Sequence, residues 1–255
     1  MKSKRILLVA ALVVAAQFNS LAQQANALAA APASHVNNAI IPVSRTGTMV
    51  SRQTLVLQRA KDAPGNYDIE FIGDSITQGW EKSGTNVWQE FYGHRKVINF
   101  GVGGDLTEHV LWRFEQGQLD GIKAKVAVVM IGTNNSGKNK DGTDAFTDSD
   151  ILEGVTAIVN QIRMRQPETK IVLLGIFPRG KVFNPVRGRL LEINQALARL
   201  DNGKNIFYLD FGSQLIENDG SISKNIMPDA LHPNEAGYKI WANAMKPKLK
   251  ELLSQ

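Results

Sequence analysis

The chain has 255 residues, 43% hydrophobic and 21% charged, with no cysteine and a formal net charge of +5. That composition fits a soluble globular protein with one sizeable core or two small ones, and it excludes a disulfide framework and a lipid-anchored cysteine. Lys2, Lys4 and Arg5 carry three of the positive charges and Met1 to Ala22 contains no acid, so the remainder is nearly balanced and argues for no nucleic-acid partner.

In chain order, "MKSKR" precedes "ILLVAALVVAA", an apolar run too short for a comfortable membrane span. "SLAQQANA" then offers small residues before Gln23 and Leu28. Together these predict a secretory signal peptide over residues 1–22, with cleavage as late as 27. An uncleaved N-terminal anchor is the alternative. Residues 23–40, rich in Ala, Gln and Asn, read as a loose leader, and 41–255 as one domain. "TMVSRQTLVLQRAKD" reads as an amphipathic helix closed by the turn residues "APGN".

An alternation follows. Strand-like runs occur at Ile69–Ile72, Val97–Phe100, Val126–Ile131, Ile171–Phe177 and Ile206–Leu209. Helical patterns lie at Leu106–Gln116, Asp150–Gln166, Arg187–Leu200 and Asn234–Leu253. The runs are Val-, Ile- and Phe-rich with little polar alternation, as strands buried on both faces are. The expected fold class is therefore α/β, a parallel sheet covered by helices on both sides. No repeat or linker suggests a second domain.

The segments after the strands carry the chemistry. They are "GDSIT", "GVGGD", "GTNNS" and, past a loop, "MPDALHP". In a parallel sheet these segments gather at one edge, where ligands bind. A serine, glycine-rich amides, an asparagine, and an aspartate three residues before a histidine would then converge as nucleophile, oxyanion donors and oriented base.

Each piece also has a plainer reading. Gly73-Asp74-Ser75 could only cap a helix. The glycines of "GVGGD" could only form turns, and they lack the third glycine of a dinucleotide fingerprint. Asn134 could hold a turn, and Asn134-Asn135-Ser136 matches a glycosylation sequon. His109 falls mid-helix, where a structural role is expected. His232 differs, because Pro233 pushes it towards an extended conformation within reach of Asp229.

In that order the blocks resemble the SGNH (GDSL-like) hydrolase superfamily. "IGDSITQGW", "NFGVGGDLTEHVLWRFEQGQLDGIKAKVAVVMIGTNN", "RQPETKIVLLGIFPRG" and "DALHP" are similar to the catalytic subunits of type IB platelet-activating-factor acetylhydrolase and bacterial relatives, from about Asp68 to the C-terminus. The resemblance implies a flavodoxin-like three-layer sandwich with a five-stranded sheet of order 2-1-3-4-5. It implies catalytic Ser75, Asp229 and His232, and an oxyanion hole from Ser75, Gly104 and Asn134. Ile76 and Leu231 would border an acyl pocket for a short acyl group such as acetyl. Ile76 replaces the leucine of the family nickname, and Asn135 stands where many members carry aspartate.

The expected activity is a secreted, acetyl-preferring serine esterase needing no cofactor or metal, acting outside a bacterial cell on acetylated carbohydrate. A lysophospholipase or thioesterase is the enzymatic alternative, and a non-catalytic glycan-binding protein the alternative from another class. The expected partner is a small-molecule or glycan ester, with no nucleic acid and no stable membrane insertion after signal removal. A homodimer is left open.

Overall fold

Five apolar runs become five parallel strands in a computed structural model that describes residues 35–254. The expected signal peptide and most of the leader lie outside the described residues. The strands are β1 (Gly65–Gly73), β2 (Val97–Asn99), β3 (Ile122–Met130), β4 (Lys170–Leu174) and β5 (Ile206–Leu209), in the order β2-β1-β3-β4-β5. This is the α/β sheet and strand order expected from the sequence.

Alternation along β3 explains why its run is continuously apolar. Val126, Val128 and Met130 enter one core, while Ala127 and Val129 enter the other. Both faces are covered, so neither set of side chains can be polar.

Around the sheet are α1 (Val50–Asp62), α2 (Ser75–Gln78), α3 (Thr85–Tyr92), α4 (Thr107–Glu115), α5 (Asp148–Arg165), α6 (Pro185–Leu197) and α7 (Glu235–Leu253). One core packs α1, α4, α5 and α6 on the sheet, and the other packs α2, α3 and α7 on the opposite face. The stripe Ile151, Val155, Ile158, Val159 and Ile162 gives α5 its buried face. A reciprocal capping box between Thr147 and Asp150 starts that helix. No helix among the described residues is long and apolar enough to cross a membrane.

Three boundaries differ from the sequence reading. β1 begins at Gly65, because Gly65–Tyr67 extend the ladder against Ile122–Ala124 although polar residues interrupt the apolar pattern. β4 stops at Leu174 rather than Phe177, since the Ile176 N–H is taken by Asn194 Oδ1 at 2.8 Å instead of a neighbouring strand. Residues 37–40, assigned by composition to the loose leader, belong to the fold. Ala39 is fully buried there, and its carbonyl accepts from the Thr107 hydroxyl at 2.8 Å.

An aromatic cluster beneath α2 makes its platform. Trp80 lies 4.5 Å from Tyr238 and 5.0 Å from Trp241 between ring centroids, and Phe71 meets Trp80 edge-on. The Tyr238 hydroxyl donates to the Ile76 carbonyl at 2.6 Å, fastening α7 to the segment that carries Ser75.

Candidate active site

Ser75 owes its position to its two predecessors. Gly73 ends β1 where an added Cβ would collide with Thr77 and the Met130 carbonyl, so no larger residue fits. Asp74 is the N-cap of α2, its Oδ1 accepting from Ile76 N at 2.9 Å. Ser75 is thus the first helical residue, half-buried at the sheet's carboxyl edge, and its N–H has no intrahelical acceptor. Burial pushes the Asp74 carboxyl up to about 7, opposed by the Ile76 N–H and by the charges of His232 and Arg179.

The loop after β2 is fixed from below and above. Asn99 donates to the Thr77 carbonyl at 3.0 Å and accepts from Gly101 N at 2.8 Å. Gly103 N donates to Gln78 Oε1 at 2.7 Å. Gly104 has φ +71°, and an added Cβ would also press on the Arg45 guanidinium, which donates to the Gly104 carbonyl at 2.9 Å. The Gly104 N–H itself has no acceptor among the described residues. Under this loop the fully buried Asp105 pairs with the fully buried Arg113 of α4, which also holds Gln118 and the Phe100 carbonyl.

After β3, Asn134 donates its side-chain amide to the Asp105 carbonyl at 2.9 Å, so it stands beside the Gly104 loop. Its neighbour Asn135 is fully buried, accepting from Thr107 N and donating to Thr107 and Glu108. Ser136 is buried too, with its hydroxyl on the Thr133 carbonyl, so two of the three residues of the apparent sequon are buried and Asn134 is half-buried. Arg179, from the loop after β4, donates to the same Thr133 carbonyl at 2.8 Å.

The last segment arrives before α7. Asp229 Oδ1 accepts from Leu231 N at 3.0 Å and His232 N at 2.7 Å, while its Oδ2 meets His232 Nδ1 at 2.6 Å. One carboxylate therefore shapes the turn and orients the ring. The turn forces Ala230 to φ +57°, a left-handed conformation that costs about 1 kcal/mol or more outside glycine. Burial would raise the Asp229 pKa, but the bonds from the His232 ring and backbone outweigh it and hold the carboxyl low. With Nδ1 carrying its proton towards Asp229, His232 Nε2 is left to accept from the Ser75 hydroxyl, 2.8 Å away.

Ser75, Asp229 and His232 thus form one hydrogen-bonded chain, with Asn134 tied to the Gly104 loop. Leu231 is half-buried. Ile76 is different: its side chain is fully buried in the core under α2, so it borders no open acyl pocket. One helical step turns its side chain about 100° from that of Ser75. His109 is structural as expected, accepting from Leu106 N, with burial first and the Arg45 charge second lowering its pKa to about 4.

Sequence reasoning passed over Gln78, Asn99, Arg45 and the Asp105–Arg113 pair. Arg113 had a signal, a cation inside the apolar pattern "HVLWRF". A cavity of about 290 Å³ opens beside the serine, bordered by Ser75, Gln78, Lys82, Ser83, Gly103 and His232 among others.

Residues 71–240 match the model of the GDSL-like lipase/acylhydrolase family. The platelet-activating factor acetylhydrolase IB subunit alpha2 of Homo sapiens is 40% identical over 189 residues, covering 74% of this chain and 76% of that protein. A GDSL-like lipase from Bacteroides thetaiotaomicron superposes with a TM-score of 0.63 at 15% identity, covering 79% of this chain and 98% of its own. An acetyl xylan esterase superposes with a TM-score of 0.56 at 20% identity, over 71% of this chain and 98% of its own. The last two are likenesses of fold.

Proposed function

Because the chain belongs to the GDSL-like lipase/acylhydrolase family and is a hydrolase of carboxylic esters, we propose that it is a serine esterase in which Ser75 attacks the ester carbonyl. His232 takes the Ser75 proton as Oγ bonds to the carbonyl carbon, and Asp229 stabilises the resulting imidazolium. The oxyanion is held by the N–H groups of Ser75 and Gly104 and by the Asn134 amide. Collapse of the tetrahedral intermediate expels the alcohol, which leaves with the proton from His232. Water, deprotonated by His232, then cleaves the acyl-enzyme and restores the serine. The observation that carries this reading is the 2.8 Å contact between Ser75 Oγ and His232 Nε2, with Asp229 at 2.6 Å on the other ring nitrogen.

The acyl group we propose is short, acetyl above all, in keeping with the acetylhydrolase relatives. The natural ester we propose is an O-acetylated carbohydrate met outside the cell. The export part rests on the N-terminal charge and apolar pattern, and the carbohydrate part is in keeping with the acetyl xylan esterase that shares the fold. Acetylated xylan, acetylated monosaccharides, a lysophospholipid and an acyl-thioester, each with wild type and Ser75→Ala, test the substrate. Turnover confined to the lysophospholipid would refute the carbohydrate reading. N-terminal sequencing of the exported protein should begin at Gln23 or Leu28, and an intact Met1 in a membrane fraction would refute processing.

A further inference from the structure

The cavity beside Ser75 has more apolar than polar wall; its polar side chains are those of Ser75, Gln78, Lys82, Ser83, His232 and Tyr238, and none is a carboxylate. Gln78 spends its Oε1 accepting from Gly103 N at 2.7 Å, which fixes the amide and leaves Nε2 without an acceptor among the described residues. Ser83 contributes a hydroxyl. Lys82, an exposed residue, contributes a cationic side chain. Its sequence neighbour Glu81 would normally neutralise it, but Glu81 is claimed from the other side by Arg52 at 2.8 Å and Arg59 at 2.6 Å. Lys82 Nζ therefore has no carboxylate partner among the described residues. The Tyr238 hydroxyl, also on the wall, has already donated its proton to the Ile76 carbonyl.

His232 borders the cavity, whereas Asn134 and Leu231 do not. His232, whose Nε2 meets Ser75 Oγ at 2.8 Å and would hand its proton to the departing oxygen, is the reason to place the leaving alcohol here. The cavity's volume of about 290 Å³ falls at the lower end of small-ligand sites, enough for one compact group and not for an extended chain.

We propose that this cavity is an anion subsite for the leaving alcohol, with Lys82 and the Gln78 amide binding a carboxylate or phosphate carried by that alcohol. The proposal rests on the esterase reading above and narrows its substrate class to esters of acidic alcohols. The same anion also faces the His232 imidazolium that forms during attack, so part of its effect is realised in the transition state.

The test is a ratio measured on single preparations: kcat/KM for an O-acetylated glucuronate, and for an O-acetylated glucose 6-phosphate, each over that for an O-acetylated methyl glucoside. The wild type should favour one or both anionic esters by about tenfold, the size of a charge-assisted hydrogen bond discounted for solvent exposure. Which anionic arm is larger distinguishes carboxylate from phosphate. Lys82→Gln should bring the ratio close to one, Lys82→Glu should invert it, and added salt should erode it in the wild type. A wild-type ratio near one, or a ratio unmoved by Lys82→Gln, overturns the subsite while leaving the esterase reading intact. Calorimetry of glucuronate and glucose binding to Ser75→Ala, with and without Lys82→Gln, separates the two readings. Lys82-dependent preference for glucuronate in a protein whose wild type hydrolyses no ester would sustain the subsite and refute the esterase reading. No such preference there overturns the subsite as well.

Discussion

The Asn134 side-chain amide donates to the Asp105 carbonyl at 2.9 Å, joining the loop after β3 to the loop after β2. The bond uses one of two amide protons and fixes the plane of the group, which leaves the second proton aimed by the scaffold rather than free to rotate. An oxyanion donor needs this, because its worth depends on being in place before charge develops.

Asn134→Ala should therefore lower kcat by roughly 10²–10³ with KM little changed. Asn134→Asp should be worse than alanine, since a carboxylate would face both the Asp105 carbonyl and the developing oxyanion. Melting temperature and kcat on the same preparations check this. Reduced stability with normal turnover per folded molecule would return Asn134 to a purely scaffolding role.

Ser75→Ala and His232→Ala should each cost several orders of magnitude in rate, and the double variant little more, because the two act as a unit. Asp229→Asn should cost less. Its carboxylate is 56% exposed, so solvent already shares the task of stabilising the imidazolium. Single-turnover kinetics on a p-nitrophenyl ester would rank the three, and near-wild-type turnover by Ser75→Ala would refute the assignment.

The buried Asp105–Arg113 pair should behave as a keystone of the Gly104 loop. Arg113→Met leaves the buried Asp105 carboxylate with the more distant Arg45 guanidinium, Nε at 3.8 Å, as its remaining cation among the described residues, at a cost of about 3 kcal/mol. At a few degrees per kcal/mol this is a drop in Tm of roughly 10 °C. Adding Asp105→Asn should recover part of the loss, since the stranded charge is removed. Thermal denaturation of the three variants measures it, and additive losses would contradict the pairing.

Glu70, on β1, is fully buried, with the Gln166 amide as the neighbour that interacts with its carboxyl. Burial raises its pKa from the ordinary 4.5 to about 8, with the Gln166 amide opposing. The folded protein then holds a proton that the unfolded chain releases. This contribution to stability is complete below about pH 4.5 and is lost as pH rises towards 8. Glu70→Leu should remove that loss, raising Tm by more at pH 9 than at pH 5. Parallel Tm curves for wild type and variant across that range would show that Glu70 does not titrate so.

The sequence by itself determined the fold class, the strand count and the four segments that follow the strands and meet at one edge of the sheet. These depend on local quantities: apolar runs long enough for strands, amphipathic stripes, and turn residues directly after the strands. It also located Asp229 and His232 as a pair, because a three-residue spacing ahead of Pro233 is a local constraint. What the tertiary structure alone decided is which side chains face the site. Ile76, next to Ser75, is turned into the core by one helical step. Gln78, three residues on, is claimed by Gly103 from another loop. Lys82 has no carboxylate partner among the described residues, its neighbour Glu81 being held by Arg52 and Arg59, at least 22 residues away in the chain. Such pairings join residues from separate elements, and a pattern with a period of two or 3.6 residues carries no information about partners beyond its own element.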